Sequence, residues 1–214
     1  MKRLAIRPTR RALISAAGVL ILVGSSHAFS KCPSSVDPTA SKALAPVTAD
    51  ASCSTRNKDG YPIPDPRCTP GAVDPTVTLA ILKDSNFKTA CVRDKATSAA
   101  TKATTYGDYV IKHPRSNTGA TQTCELDHLV SIELGGADTL DNIWPQCGPS
   151  RVVLANRYFK IKDTVENYLA AQVRAGNISL KDAQHGIATD WPQYIDDARA
   201  YFKSHQAHGF GLDQ

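Results

Sequence analysis

The densest group of reactive side chains in this 214-residue chain is Glu125-Leu126-Asp127-His128, with Asn142 fourteen residues further on. Imidazole titrates near neutral pH, so a histidine beside a carboxylate at the end of a strand is a candidate general base. Asp127 is a hard oxygen donor, suited to Mg2+, Mn2+ or Ca2+ rather than to a soft metal. Asn142 carries both donors and an acceptor, and it can hold the histidine or bridge the two ends of a loop. A core-facing His128 bonded to a backbone carbonyl also fits these residue types.

Those side chains need elements to position them. Over residues 123–132 the alternation of Leu126, His128, Val130 and Ile132 predicts one face of a strand. Gly135-Gly136 breaks it and supplies positive-φ freedom for a loop. Residues 140–144 read as a second short strand, stopped by Pro145. A long helix follows from about Arg151 to Ala175, ended by Gly176-Asn177. Ser179-Leu180-Lys181-Asp182 has the form of a capping box opening a second helix towards Trp191, and a third covers residues 193–204. Upstream, residues 90–112 are weakly patterned, and only Tyr109-Val110-Ile111 reads as a short strand. Neighbours on a regular strand point to opposite faces, so Asp127 and His128 serve one site only if the strand bends there.

The run from Glu125 to Gly136, followed by Asp141-Asn142-Ile143-Trp144-Pro145-Gln146, resembles the HNH endonucleases of the ββα-metal (His-Me finger) fold. In particular it looks like small secreted bacterial members with a motif of the form DHLIPLELGG…NLWP. The likeness extends over roughly residues 67–192, including Lys162-Asp163-Thr164-Val165-Glu166-Asn167 and Asp190-Trp191. It implies an α+β chain with a ββα core at 123–175, additional C-terminal helices and a loop-rich, disulfide-bearing N-terminal arm. It further implies His128 as the base that activates water, Asn142 in the motif's asparagine role, and Asp127 as ligand to a divalent ion. That ion would be Mg2+ or Mn2+, with Zn2+ or Ca2+ as alternatives, and the substrate DNA rather than RNA, cut with little sequence preference. The family's helix ligand, usually His or Asn, has no histidine counterpart between 129 and 184. Asn156 is the best substitute and Asp163 the fallback.

Composition bounds the remaining readings. At 42% hydrophobic and 21% charged residues the chain is globular in character. Lys2, Arg3, Arg7, Arg10 and Arg11, the apolar run 12–23 and Ser26-His27-Ala28 have the order of a secretory signal over residues 1–28. Arg10-Arg11 also suits a twin-arginine signal. Five of the 25 basic residues lie in that segment, so the remainder balances 20 basic against 20 acidic residues. The formal charge of +5 is therefore no argument for nucleic-acid binding. Charge is nevertheless uneven: Glu125, Asp127, Glu133, Asp138 and Asp141 form an acidic island between the basic stretches 83–115 and 150–175. Such an island suits a cation beside a polyanion track, and a solvated surface scatters charge in the same way.

Residues 29–75 hold eight of the 13 prolines and read as a loop-rich arm, followed by the HNH-like domain at 76–206 and a tail at 207–214. Six cysteines in an exported chain imply three disulfides, with 15 possible connectivities. Cys124 and Cys147 bracket the two strands, with Cys91 as the competing partner of either. No Cys pair has zinc spacing, and no helix-turn-helix or zinc-finger reader accompanies the motif. Trp144 and Trp191 read as core anchors rather than base-stacking residues.

The leading expectation is an exported, periplasmic or extracellular metal-dependent endonuclease without membrane insertion after cleavage. Two competitors stand beside it: a non-catalytic exported module keeping the fold, and an envelope protein that binds divalent cations through residues 124–147. Export predicts that protein recovered outside the cytoplasm begins at or near Phe29; N-terminal sequencing that finds Met1 there removes the signal reading.

Overall fold

Proline density and short polar runs restrict the first part of the chain to turns and very short strands. The computed structural model describes residues 32–48, 52–115 and 117–207. The leader expected over 1–28 lies outside the described residues. β1 (Lys42–Ala43), β2 (Arg56–Lys58), β3 (Tyr61–Ile63) and β4 (Ala72–Val73) form two antiparallel pairs, β1 with β4 and β2 with β3. Asp59 and Gly60 both take positive φ, 53° and 87°, between β2 and β3. That is the two-residue hairpin geometry whose twist matches the strands.

These segments pack on the rest of the chain. Ile63 and Val73 lie in the same buried cluster as Leu134, Leu169 and Trp191, and the Trp191 indole donates to the Pro62 carbonyl at 3.0 Å. Disulfides Cys32–Cys91 and Cys53–Cys68 fasten them further. The described residues form one compact unit.

α1 (Leu79–Leu82) is a single turn capped by Thr78. α2 (Ala99–Asp108) replaces the strand expected at 109–111: Tyr109 caps the helix and Val110 has φ 54°, outside any strand. Ser98 accepts from the Thr101 backbone N–H and starts this helix, a signal hidden by the weak apolar pattern around it.

β5 (Cys124–His128) and β6 (Ile143–Cys147) form the hairpin expected from the alternation, but its bounds differ at both ends. β5 stops at His128, and Ile132–Leu134 is a 3-10 turn rather than more strand. Pro145 sits inside β6 instead of ending it. Leu129 donates to Asn142 and Gly148 to Thr123, so hydrogen-bonded pairs alternate along the ladder and Pro145, opposite Leu126, falls on a non-bonded pair. Its missing N–H therefore faces away from β5. Cys124 and Cys147 occupy another such pair, their Cα atoms 4.0 Å apart, and form the third disulfide.

α3 (Tyr158–Ala175) starts seven residues later than expected. The β-branched pair Val152-Val153 is a poor helix start, and the chain makes a 3-10 turn at Leu154–Asn156 and an extended Arg157 first. Gly176 ends it at φ 82° as expected. α4 (Leu180–Asp190) begins with Ser179 accepting from Asp182, and α5 (Ile195–Ala207) closes the described chain. α3 packs against β5, β6, α4 and α5, so the core lies between this helix and the hairpin loop. Trp144 and Trp191 are fully buried, as core anchors should be. The architecture is α+β, with small sheets and three disulfides. No helix among the described residues is long and apolar enough to cross a membrane.

Opening the hairpin bridge should cost about 2–4 kcal/mol, because it closes a 23-residue loop in a chain with short strands. A Cys124→Ser/Cys147→Ser double variant should therefore melt markedly lower, while thiol titration of the denatured, unreduced native chain should find no free thiol.

Candidate functional site

His128 ends β5, and its imidazole Nε2 lies 2.7 Å from Asp138 Oδ1 in the loop between β5 and β6. Only a tenth of the imidazole is exposed, and Asp138 is almost wholly buried. Two cations share this carboxylate: Lys102 of α2 at 2.5 Å and Arg93 at 3.6 Å, the latter with half its side chain in solvent. Burial works to raise Asp138, but hydrogen bonds from His128 and Lys102 outweigh it and hold the acid at about 2. Burial pulls His128 below its ordinary range against the pull of Asp138. At neutral pH the pair is thus a neutral imidazole donating Nε2–H to a carboxylate, which leaves the Nδ1 lone pair as the basic position.

Asn142 places this loop. It is completely buried, and its amide is used at every position it offers. Nδ2 donates to Val130 O at 3.0 Å and Ala137 O at 2.8 Å; Oδ1 accepts from Val130 N at 2.9 Å and Ala72 N at 3.3 Å. Asn142 accordingly positions the loop by bridging its two ends, one of the roles its residue type allows. Gly135 turns the loop at φ 72°, and Gly136 approaches Val130 so closely that a Cβ would stand 1.9 Å from its carbonyl oxygen. The Gly-Gly pair does two different jobs, one of backbone handedness and one of space.

Asp127 faces other partners. Its Oδ2 lies 2.8 Å from Nζ of Lys162, a side chain of α3 with no exposed surface. The same ammonium donates to the His128 carbonyl at 2.7 Å and to Glu166 Oε1. Glu125, two residues before Asp127 and on its face of the strand, completes a group of three carboxylates around one buried ammonium. Burial pushes Glu125 up to about 7, reinforced by the charges of Asp127 and Asp163 and opposed by Lys160 and Lys162. Burial likewise pushes Glu166 up against the pull of Lys162. One positive charge does not balance three acids in a dry site, which makes the two glutamates hold their protons more readily than usual.

The remaining expected ligands are elsewhere. Asn156 is exposed in the 3-10 turn before α3 and lines a small pocket with Ile161, Ile195 and Arg199, so it does not reach the hairpin as expected. The later start of α3 is the reason. Asp163 accepts from Lys160 at 2.7 Å at the half-exposed rim of the carboxylate group. Among the described residues no three His, Cys, Asp or Glu side chains are arranged to hold a metal ion. A divalent ion on Asp127 would meet the Lys162 ammonium, so the expected metal does not fit these side chains.

Sequence reasoning counted Asp138 only as one acid of an island and did not place Lys102, Arg93 or Lys162 at the site. Lys162 follows Phe159 by three residues and precedes Leu169 by seven, which puts it in the buried stripe of the helix; that spacing was the available signal. A cavity of about 540 Å³, lined by Thr69, Thr105, Tyr109, Asp141 and Ile143 among others, includes neither His128 nor Asp138.

Family models, curated proteins and solved structures offer no match to this chain. The likeness to HNH endonucleases rests on the motif residues alone.

Glu125 generates a pH test. Its folded value of about 7 lies above its ordinary 4.5, so its contribution is most favourable at low pH and is lost as pH rises through 7. Glu125→Gln should leave the melting temperature near wild type at pH 5 and raise stability at pH 8–9 by roughly 1–2 kcal/mol once solvent screening is allowed for. Equal melting curves at both pH values would remove the crowded-carboxylate account.

Proposed function

We propose that this protein is an exported HNH-type nuclease that hydrolyses phosphodiester bonds in DNA, or in RNA, with little sequence preference. The observation that carries the reading is the His128–Asp138 pair at the end of the motif strand, flanked by Lys102 and Arg93. In this proposal His128 Nδ1 takes a proton from water as its oxygen bonds to phosphorus, and the ester oxygen leaves and is protonated from solvent. Asp138 fixes the imidazole tautomer and offsets the charge it gains, as the third member of a triad does. Arg93 and Lys102 offset charge growing on the phosphate oxygens. The hairpin followed by α3 supports the ββα framework, and the three disulfides support an oxidising compartment. The divalent ion implied by the resemblance is not carried into this proposal, because Lys162 engages Asp127. A second reading, an exported module without chemistry, is favoured by the small exposure of His128.

Plasmid conversion from supercoiled to nicked form, measured with the melting temperature, separates the two. His128→Ala should fall about 10²–10⁴-fold in rate, the usual share of a general base, with the fold retained. Asp138→Asn should fall by less and shift the pH profile. Wild type that never cuts would establish the non-catalytic reading, whereas His128→Ala that cuts at the wild-type rate would remove His128 as the base.

A further inference from the structure

A lysine in the buried stripe of a helix is costly unless its charge and all three N–H donors are matched. Lys162 donates to the His128 carbonyl at the end of β5 and to Glu166 one turn along α3, and its charge is paired with Asp127 Oδ2 2.8 Å away. An all-oxygen shell of two carboxylates and one carbonyl is what a hard cation seeks in a protein. Neutral fillers such as Met or Leu would satisfy the packing of Phe159, Val165 and Leu169, but not the carboxylates beside it. We propose that the Lys162 ammonium is the resident cation of the hairpin–helix unit, holding strand to helix in place of a divalent metal ion. The unit then assembles without metal, and the His128 main chain is fixed by a covalently attached charge that no chelator can extract. This inference needs only the contacts of Lys162 and does not rest on the nuclease reading.

Two consequences can be measured on the full disulfide-bonded chain. Wild type should bind no Mn2+ at submillimolar concentration by electron paramagnetic resonance, and EDTA should leave its melting temperature unchanged. Lys162→Met keeps the length of the side chain but removes the charge, leaving Asp127, Glu166 and Glu125 without it. That variant should melt lower than wild type and acquire Mn2+ binding, with Mn2+ at about 100 times Kd restoring roughly 5 °C or more. Lys162→Gln, which still donates to the His128 carbonyl, is the second variant should Lys162→Met fail to fold. Stoichiometric Mn2+ binding by wild type that Asp127→Asn abolishes would overturn the proposal. So would Met and Gln variants that fold as well as wild type and ignore Mn2+. Plasmid cleavage is scored separately: its absence would end the nuclease proposal and leave this one untouched.

Discussion

The amide of Asn142 ties three chain segments to one point: the strand Ala72–Val73, the stretch just after His128, and Ala137 beside Asp138. Each bond is ordinary, worth about 1 kcal/mol net. Their convergence on one buried side chain is what matters. It acts together with backbone bonds from Asp74 to Gly135 and from Ala137 to Ala72, and between them they set the path of the loop that brings Asp138 opposite His128. The carboxylate–imidazole pair, the two cations that share Asp138, and the seat of the proline-rich segment all follow from that knot.

The two sides of β5 illustrate how the period of a strand sorts charge. His128 turns to a carboxylate with surplus positive charge around it, whereas Asp127 turns to a lysine outnumbered by acids. Adjacent residues therefore sit in opposite electrostatic environments without any unusual backbone. The side with surplus positive charge favours an anion nearby, and the other side favours bound protons at neutral pH. Lys162 also donates to the His128 carbonyl, which ties the acidic side to the residue that carries the imidazole.

Local signals carried the parts of the fold that are decided locally. The alternation at 124–128, the Gly-Gly break, the Ser179 cap and the Gly176 stop all read correctly, because each depends on a residue's own backbone preference. Elements decided by distant partners did not read. α2 has a weak apolar pattern, and its place is set by Lys102 reaching Asp138, 36 residues away. Pro145 looked like a strand end because only the partner's register shows that its missing donor faces outward. Asn156 reads as a ligand only if the helix starts near Arg151, whereas α3 starts at Tyr158. Of the candidate site, the dipeptide and the asparagine were legible; Asp138 was not, since nothing in its spacing distinguishes a paired buried charge from a solvated one, and the stripe position of Lys162 marks its burial but not its partners.

The disulfides divide the chain into covalent rings. Cys53–Cys68 is nested inside Cys32–Cys91, and Cys124–Cys147 closes a separate ring that contains both His128 and Asp138. A backbone cut within either outer ring leaves its two pieces joined, whereas a cut between residues 92 and 123 parts the rings. Arg93 and Lys102 lie on that unbridged stretch. The base and its carboxylate are thus carried on a closed frame, while the cations beside them arrive on an open strap. Insertion, deletion or clipping in the strap can retune the charge around the imidazole and leave the ring itself intact.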